Sequence, residues 1–417
     1  MTLVVNRYGA IIHRPGALPM LGTSLLGRMP QGMSALSVLL LVRTATNSYA
    51  AAGAAVGASA LAAALCGPVA GRLIDRFGGR MVVAPAAVGQ AGAYVLLVVA
   101  AGMHMGAAAL IACATLAGAL QPPIAPVVRT MLRSLFDDHA VREAAYGLEA
   151  IAQETIWIVG PLVVTVLITV ASARVAVLML GVVELLGTAL FLRSPLIGGH
   201  PRRARQRARS GSALASADLR WLLLPVAMMG FGLGAVEVGI PSLALHDGSR
   251  SASGYLLALW SLGSMLGGVR YGATAWRAPV GTRYVILMFA NALSIVPLIV
   301  AGSIPVAAFA AFIAGMAIAP AFSCQYSLVG RVVVSGTEYE GFSWVLSALI
   351  AGSAGGAALG GAMIGPFGVM APFALACGSA LAGALASVRF RGRFANVASV
   401  DVGDDCDQPE SHVEEVA

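Results

Sequence analysis

Apolar runs of about 20 residues, broken by charged residues, Pro and Gly, recur along nearly the whole chain, and each is long enough to cross a hydrocarbon core of roughly 30 Å. They predict twelve helices, numbered 1 to 12 in chain order, at 17–42, 50–71, 81–102, 106–128, 144–170, 174–193, 220–244, 252–271, 284–302, 304–328, 341–364 and 367–388. The fold class is an all-α polytopic membrane protein.

Composition agrees. The 417 residues are 58% hydrophobic and 11% charged, where a soluble domain carries about 25% charge. All 26 basic residues are Arg, which points to a high-GC genome and a bacterial inner membrane. The net charge of +7 reads as a topology signal and gives no reason to expect a nucleic-acid partner. Cys66, Cys113, Cys324 and Cys377 lie in apolar runs and Cys406 in the tail, with no CxxC, so neither a metal site nor a disulfide framework is expected. The first run follows Arg7 and Arg14 and lacks an A-x-A site, so it should remain as helix 1. No P-loop, cofactor motif or enzyme chemistry stands out.

The arginines also orient the chain. Arg43, Arg174 and Arg250 are the only ones in odd-to-even connections, Arg28 lies within helix 1, and the other 22 fall at the ends or in even-to-odd connections. Both termini are therefore expected in the cytoplasm. The domains follow: a cytoplasmic N-terminus at 1–16, a six-helix bundle at 17–193, a basic linker at 194–219 with Arg202, Arg203, Arg205, Arg207 and Arg209, a second bundle at 220–388, and an acidic, solvated tail at 389–417. The bundles read as repeats. At an offset of 197 residues Gly71 falls on Gly268, Arg80 on Arg277, Gly118 on Gly315, Pro123 on Pro320 and Glu143 on Glu340.

Ionisable side chains inside a membrane are costly and mark functional candidates. Arg28 and Glu154 lie at similar depth, roughly 15 Å from the expected starts of helices 1 and 5, so an ion pair between them is the expectation. It could be a coupling device or a structural staple. Glu149 is nearer the surface and reads as an interfacial charge paired with an Arg such as Arg142; Gln153 shares its face. Gln121-Pro122-Pro123 should kink helix 4 near its cytoplasmic end, and Pro320 should do the same to helix 10. Gln121 is then a candidate substrate contact. Gln153, Trp157, Met33, Met228, Met229, Phe231 and Trp260 are further cavity candidates, though such apolar residues more often pack.

The most specific stretch is Gly71-Arg-Leu-Ile-Asp-Arg-Phe-Gly-Gly-Arg80. It resembles the loop between helices 2 and 3 of the major facilitator superfamily, with Gly71, Leu73, Asp75, Arg76, Gly78 and Arg80 on signature positions. The resemblance extends to two six-helix repeats joined by a basic loop over almost the whole chain. It implies that Asp75 closes the cytoplasmic side, with Arg76, Arg80 or the start of helix 11 as its counter-charge. The repeat copy at 268–277 has no acid at that place. The resemblance also implies that helices 1, 4, 7 and 10 line a central cavity, which makes Glu237 a candidate proton or cation site, and that helix 6 is peripheral, which favours packing for Glu184. The closer likeness to drug-proton antiporters is partial. Gly118 stands where an arginine of helix 4 belongs, and only Gly160-Pro161 survives of the helix 5 motif, flanked by Ile156 and Val164.

Together these readings imply a monomeric secondary transporter in a lipid bilayer, working by alternating access and exporting a small amphipathic or hydrophobic compound in exchange for protons. An importer or facilitator of a metabolite, and a membrane sensor or scaffold, are the alternatives.

Overall fold

The computed structural model describes residues 9–198, 212–246, 252–274, 276, 278–389 and 391. Most of the basic linker, Arg250, Arg277, Cys406 and the acidic tail lie outside the described residues. Among those described, twelve helical spans are long and apolar enough to cross a membrane. Helices 1 to 3 are Ala17–Thr46, Tyr49–Phe77 and Gly79–Gly102. Helix 4 has two pieces, Ala107–Ala119 and Ile124–Leu135; helices 5 and 6 are His139–Val170 and Ala173–Leu192. Helices 7 to 9 are Ala217–His246, Ala252–Ala273 and Val280–Ile299. Helix 10 is again divided, Ile304–Gly315 and Ile318–Val332, and helices 11 and 12 are Glu338–Phe367 and Ala371–Arg389.

Three boundaries differ from expectation by five residues or more. The charges of the 71–80 stretch do not form a loop: helix 2 continues to Phe77 and only Gly78 separates it from helix 3. Arg72, Asp75 and Arg76 are compatible with helix, and no breaker intervenes before Gly78, whose φ of 91° suits glycine. Helix 5 starts five residues earlier than its apolar run, because its first turn and a half is polar. Helix 4 does not merely kink. Pro122 and Pro123, which lack N–H donors, leave residues 120–123 outside the helix, and a further twelve-residue helix follows. The repeat position in helix 10 is interrupted at Met316 and Ala317, and Pro320 sits in the first turn of the second piece, where a missing N–H costs nothing.

Helix 1 packs on helices 5 and 6, and helix 7 on helices 11 and 12; helix 2 meets helix 11, and helix 5 meets helices 8 and 10. An even number of spans places the start of helix 1 and the end of helix 12 on one side, the chain-end side. There a continuous apolar core unites both halves, with Met20, Val127, Tyr146, Val226, Tyr284 and Phe342 among its members. Towards the far side the core divides in two, one around Leu41, Leu97 and Leu180 and the other around Val236, Leu298 and Phe373. The halves are thus fused on the chain-end side and separate on the far side.

Candidate functional site

Where the halves fuse, polar groups bridge them. Asp75 is buried at the end of helix 2, and its carboxylate accepts the backbone N–H of Tyr339 (3.2 Å) and of Glu340 (2.8 Å), which lie in the first turn of helix 11, where amides have no intrahelical acceptor. The chain can come this close because residue 71 is glycine. A Cβ there would lie 2.6 Å from the Tyr339 carbonyl oxygen and 2.9 Å from Glu340 Cα. Gly71→Val should therefore hold the chain-end side open in a folded protein, and cysteine-accessibility labelling at the start of helix 11 should rise clearly above wild type.

Arg76 and Arg80 are not the partners of Asp75. Arg76 lies over the Phe77 ring at 5.2 Å, and Arg80 donates to the Ser194 carbonyl at 3.3 Å. Near Asp75 two arginines of the first half cross to helix 11: Arg72 reaches Glu340 at 3.0 Å and Arg133 of helix 4 reaches Glu338 at 3.6 Å. Glu340 also accepts from Ser212 Oγ (2.9 Å) and the Ala213 N–H (3.2 Å). Its repeat equivalent, Glu143 in the first turns of helix 5, takes a two-pronged ion pair from Arg283 of helix 9, at 2.8 and 2.6 Å. Arg283 further donates to the Tyr271 hydroxyl at 2.6 Å. The second repeat has thus replaced the missing acid with a different cross-half contact. The equivalence of Glu143 and Glu340 was visible in the 197-residue offset; Arg72 and Arg283 carried no such signal.

Beneath the point where the cores divide lies a buried charge network. Arg28, fully buried, donates through Nη1 to both oxygens of Glu149, at 2.8 and 3.0 Å, and through Nη2 to Gln153 Oε1. The expected pair with Glu154 does not form. Because helix 5 begins at His139, Glu149 is about 15 Å in rather than near the surface, level with Arg28. Contact is enforced by glycines: a Cβ on Gly160 would lie 2.6 Å from the Gly32 carbonyl carbon, so helices 1 and 5 touch backbone to backbone.

Where Arg142 was expected, the second cation at Glu149 is Arg129 of helix 4, with Nε 3.3 Å from Glu149 Oε1. Its guanidinium carbon stands 4.0 Å from the Tyr326 ring centroid of helix 10, a cation–π contact worth about 2 kcal/mol when desolvated. Arg129 and Tyr326 are equivalent residues of the two repeats at the 197-residue offset. The break in helix 4, and the helix that continues beyond it, place Arg129 here.

Glu154 lies beside Ser264 of helix 8, with Glu237 of helix 7 further off, and it also acts on Tyr326, the ring that covers Arg129. Glu237 is exposed while Glu154 and Gln153 are nearly buried. Trp157, one turn beyond Gln153, is 48% exposed, and Gln121 is half-buried in the break of helix 4. Glu184 is buried on helix 6 and accepts the Thr188 hydroxyl at 3.3 Å, the local satisfaction expected of a packing residue. Met33 and Met229 are core residues. Met228 and Phe231 line an open lateral groove of about 720 Å³ with Met363, Phe367 and Met370, away from the centre.

A membrane protein whose two bundles join on one side and part on the other, with ionisable groups between them, belongs to the class of secondary transporters. The model of the Major Facilitator Superfamily matches residues 20–341, and the chain belongs to that family. Solved structures agree in fold. The human organic anion transporter MFSD10 (TETRAN) superposes with a TM-score of 0.70 at 16% identity over 89% of this chain and 99% of that one. A bacterial homologue of the iron transporter ferroportin, in the outward-facing state, gives 0.70 at 15% identity over 90% and 99%. The proton:xylose symporter XylE gives 0.67 at 15% identity over 92% and 96%. No curated protein matches the sequence. The protein is thus a multi-pass transporter of a small substrate, and its family is not one of enzymes.

Proposed function

We propose that this transporter exports a small amphipathic compound across a bacterial inner membrane in exchange for protons. The bundles at 17–193 and 220–388 rock about the centre, and the chain-end side faces the cytoplasm. Arginine placement supports that orientation. The division of the core supports the rocking, since one side is joined by apolar packing, Asp75 and, among the described residues, three ion pairs while the other is parted.

The observation that carries proton coupling is that each bundle places a carboxylate within its spans, Glu154 on helix 5 and Glu237 on helix 7. Ionisable groups within a membrane span mark proton pathways, and motion between the bundles changes what each carboxylate faces. Among the described residues no arginine is bonded to Glu154, so it can exchange its proton without breaking the ion pair of Arg28 with Glu149. Glu154→Gln is expected to remain folded and to lose the dependence of flux on the proton gradient. Dye efflux assayed in everted vesicles across pH checks this. Matching wild-type and variant profiles would remove Glu154 from the coupling path, and uptake in right-side-out vesicles would reverse the direction.

A further inference from the structure

Helices 2 and 11 run antiparallel across the divide between the bundles and touch on the chain-end side. Two glycines of helix 2 set the register. A Cβ on Gly67 would lie 3.3 Å from Ser347 Oγ, and one on Gly71 would meet Ser343, Glu340 and Tyr339. Ser343 Oγ is buried in this contact with no hydrogen-bond partner among the described residues, so parting the helices, which admits water, is not opposed there.

Eighteen residues make five helical turns, so the face of Gly71 continues towards the far side to Gly53, and that of Ser343 to Gly361. In the same antiparallel register Ala60 comes opposite Ala354, Gly57 opposite Ala357 and Gly53 opposite Gly361. Nothing larger than alanine stands at these six positions. The outer members of the line do not touch here: a Cβ on Gly53 or Gly57 would meet nothing within 4 Å, and one on Gly361 would meet only Val238 of its own bundle, at 3.8 Å. Helices 5 and 8, which also cross between the bundles, carry no such line. Beyond the contact of Ile151 with Gly268, the face of helix 5 presents Ile158, Leu162 and Thr165.

We propose that when the chain-end side opens, helices 2 and 11 close the far side by bringing 53–60 and 354–361 together backbone to backbone. Residues without bulk permit that approach in a membrane, where packing rather than exclusion of water joins helices. The line extends a contact already made at Gly67 and Gly71, so no new register is needed. The inference rests on the rocking proposed above and names the contact that ends it.

The test is cross-linking of the full-length protein in membrane vesicles by a short bifunctional thiol reagent, with Gly53→Cys and Gly361→Cys introduced and the five native cysteines replaced by serine. It is run with the native chain-end contact and with Gly71→Val; Asp75→Asn, which weakens the same contact, takes its place if that variant does not fold. Labelling of a cysteine at the start of helix 11 reports the opening separately. Cross-linking is expected to rise at least fivefold on opening. Gly92→Cys paired with Gly361→Cys should stay at background, since Gly92 has equal room but lies on helix 3. Equal cross-linking with and without opening, or equal yields from the two pairs, would overturn the proposal. Increased labelling without cross-linking would overturn it and leave rocking standing, and no change in either would overturn both.

Discussion

Asp75→Asn is expected to lower flux about tenfold or more in a protein that still folds. The substitution keeps the shape of the side chain but turns one of two carboxylate oxygens, each of which accepts a helix 11 amide, into an NH2 that cannot accept. A buried donor left unsatisfied costs about 1–3 kcal/mol. The closed chain-end side should therefore be weakened by about 1–3 kcal/mol, and each ~1.4 kcal/mol is a tenfold change in equilibrium. The fold survives because the cores of the two bundles are untouched. Vesicle transport and cysteine labelling on the chain-end side report the two effects separately. Wild-type values in both would remove Asp75 from the gate.

Glu149→Gln is expected to do something different, namely to destabilise the protein itself. It would leave Arg28 and Arg129 buried without a carboxylate, and breaking a buried pair from one side costs about 3–5 kcal/mol. That is a large part of a typical stability of about 5–15 kcal/mol. Low yield and a sharply reduced unfolding midpoint should follow, whereas Glu154→Gln, which abandons no cation, should melt near wild type. Adding Arg28→Gln to Glu149→Gln should recover part of the loss, since one guanidinium then remains unmatched instead of two. Equal midpoints for the two glutamate variants would contradict the role of Glu149 as the bonded partner of both arginines.

The contrast between these carboxylates shows where the sequence was informative. Helix number, the duplicated halves and the breaks in helices 4 and 10 are written in apolar run length, a constant offset and prolines, all local signals. The Arg28 partner was misassigned because depth was measured from the first apolar residue of helix 5, while the helix begins in the polar residues before it. The same bias made a loop of residues 71–77, which are helical although charged. Arg129 lies one residue beyond the expected end of helix 4 at 128; the continuation of helix 4 to Leu135 buries it. Ser264 and Arg283 join the site through contacts between distant helices, which one sequence without relatives does not encode locally.

The contact between Arg129 and Tyr326 also constrains how this chain could have arisen. The two positions are copies of one another and they touch, so they lie where the repeats meet themselves. An ancestor assembled from two identical six-helix subunits would have set arginine against arginine, or tyrosine against tyrosine, at that spot. The first repels and the second lacks a cation. A mixed pair requires both copies to be encoded separately, so gene fusion or duplication with divergence must precede it, and the present halves can no longer be exchanged for one another.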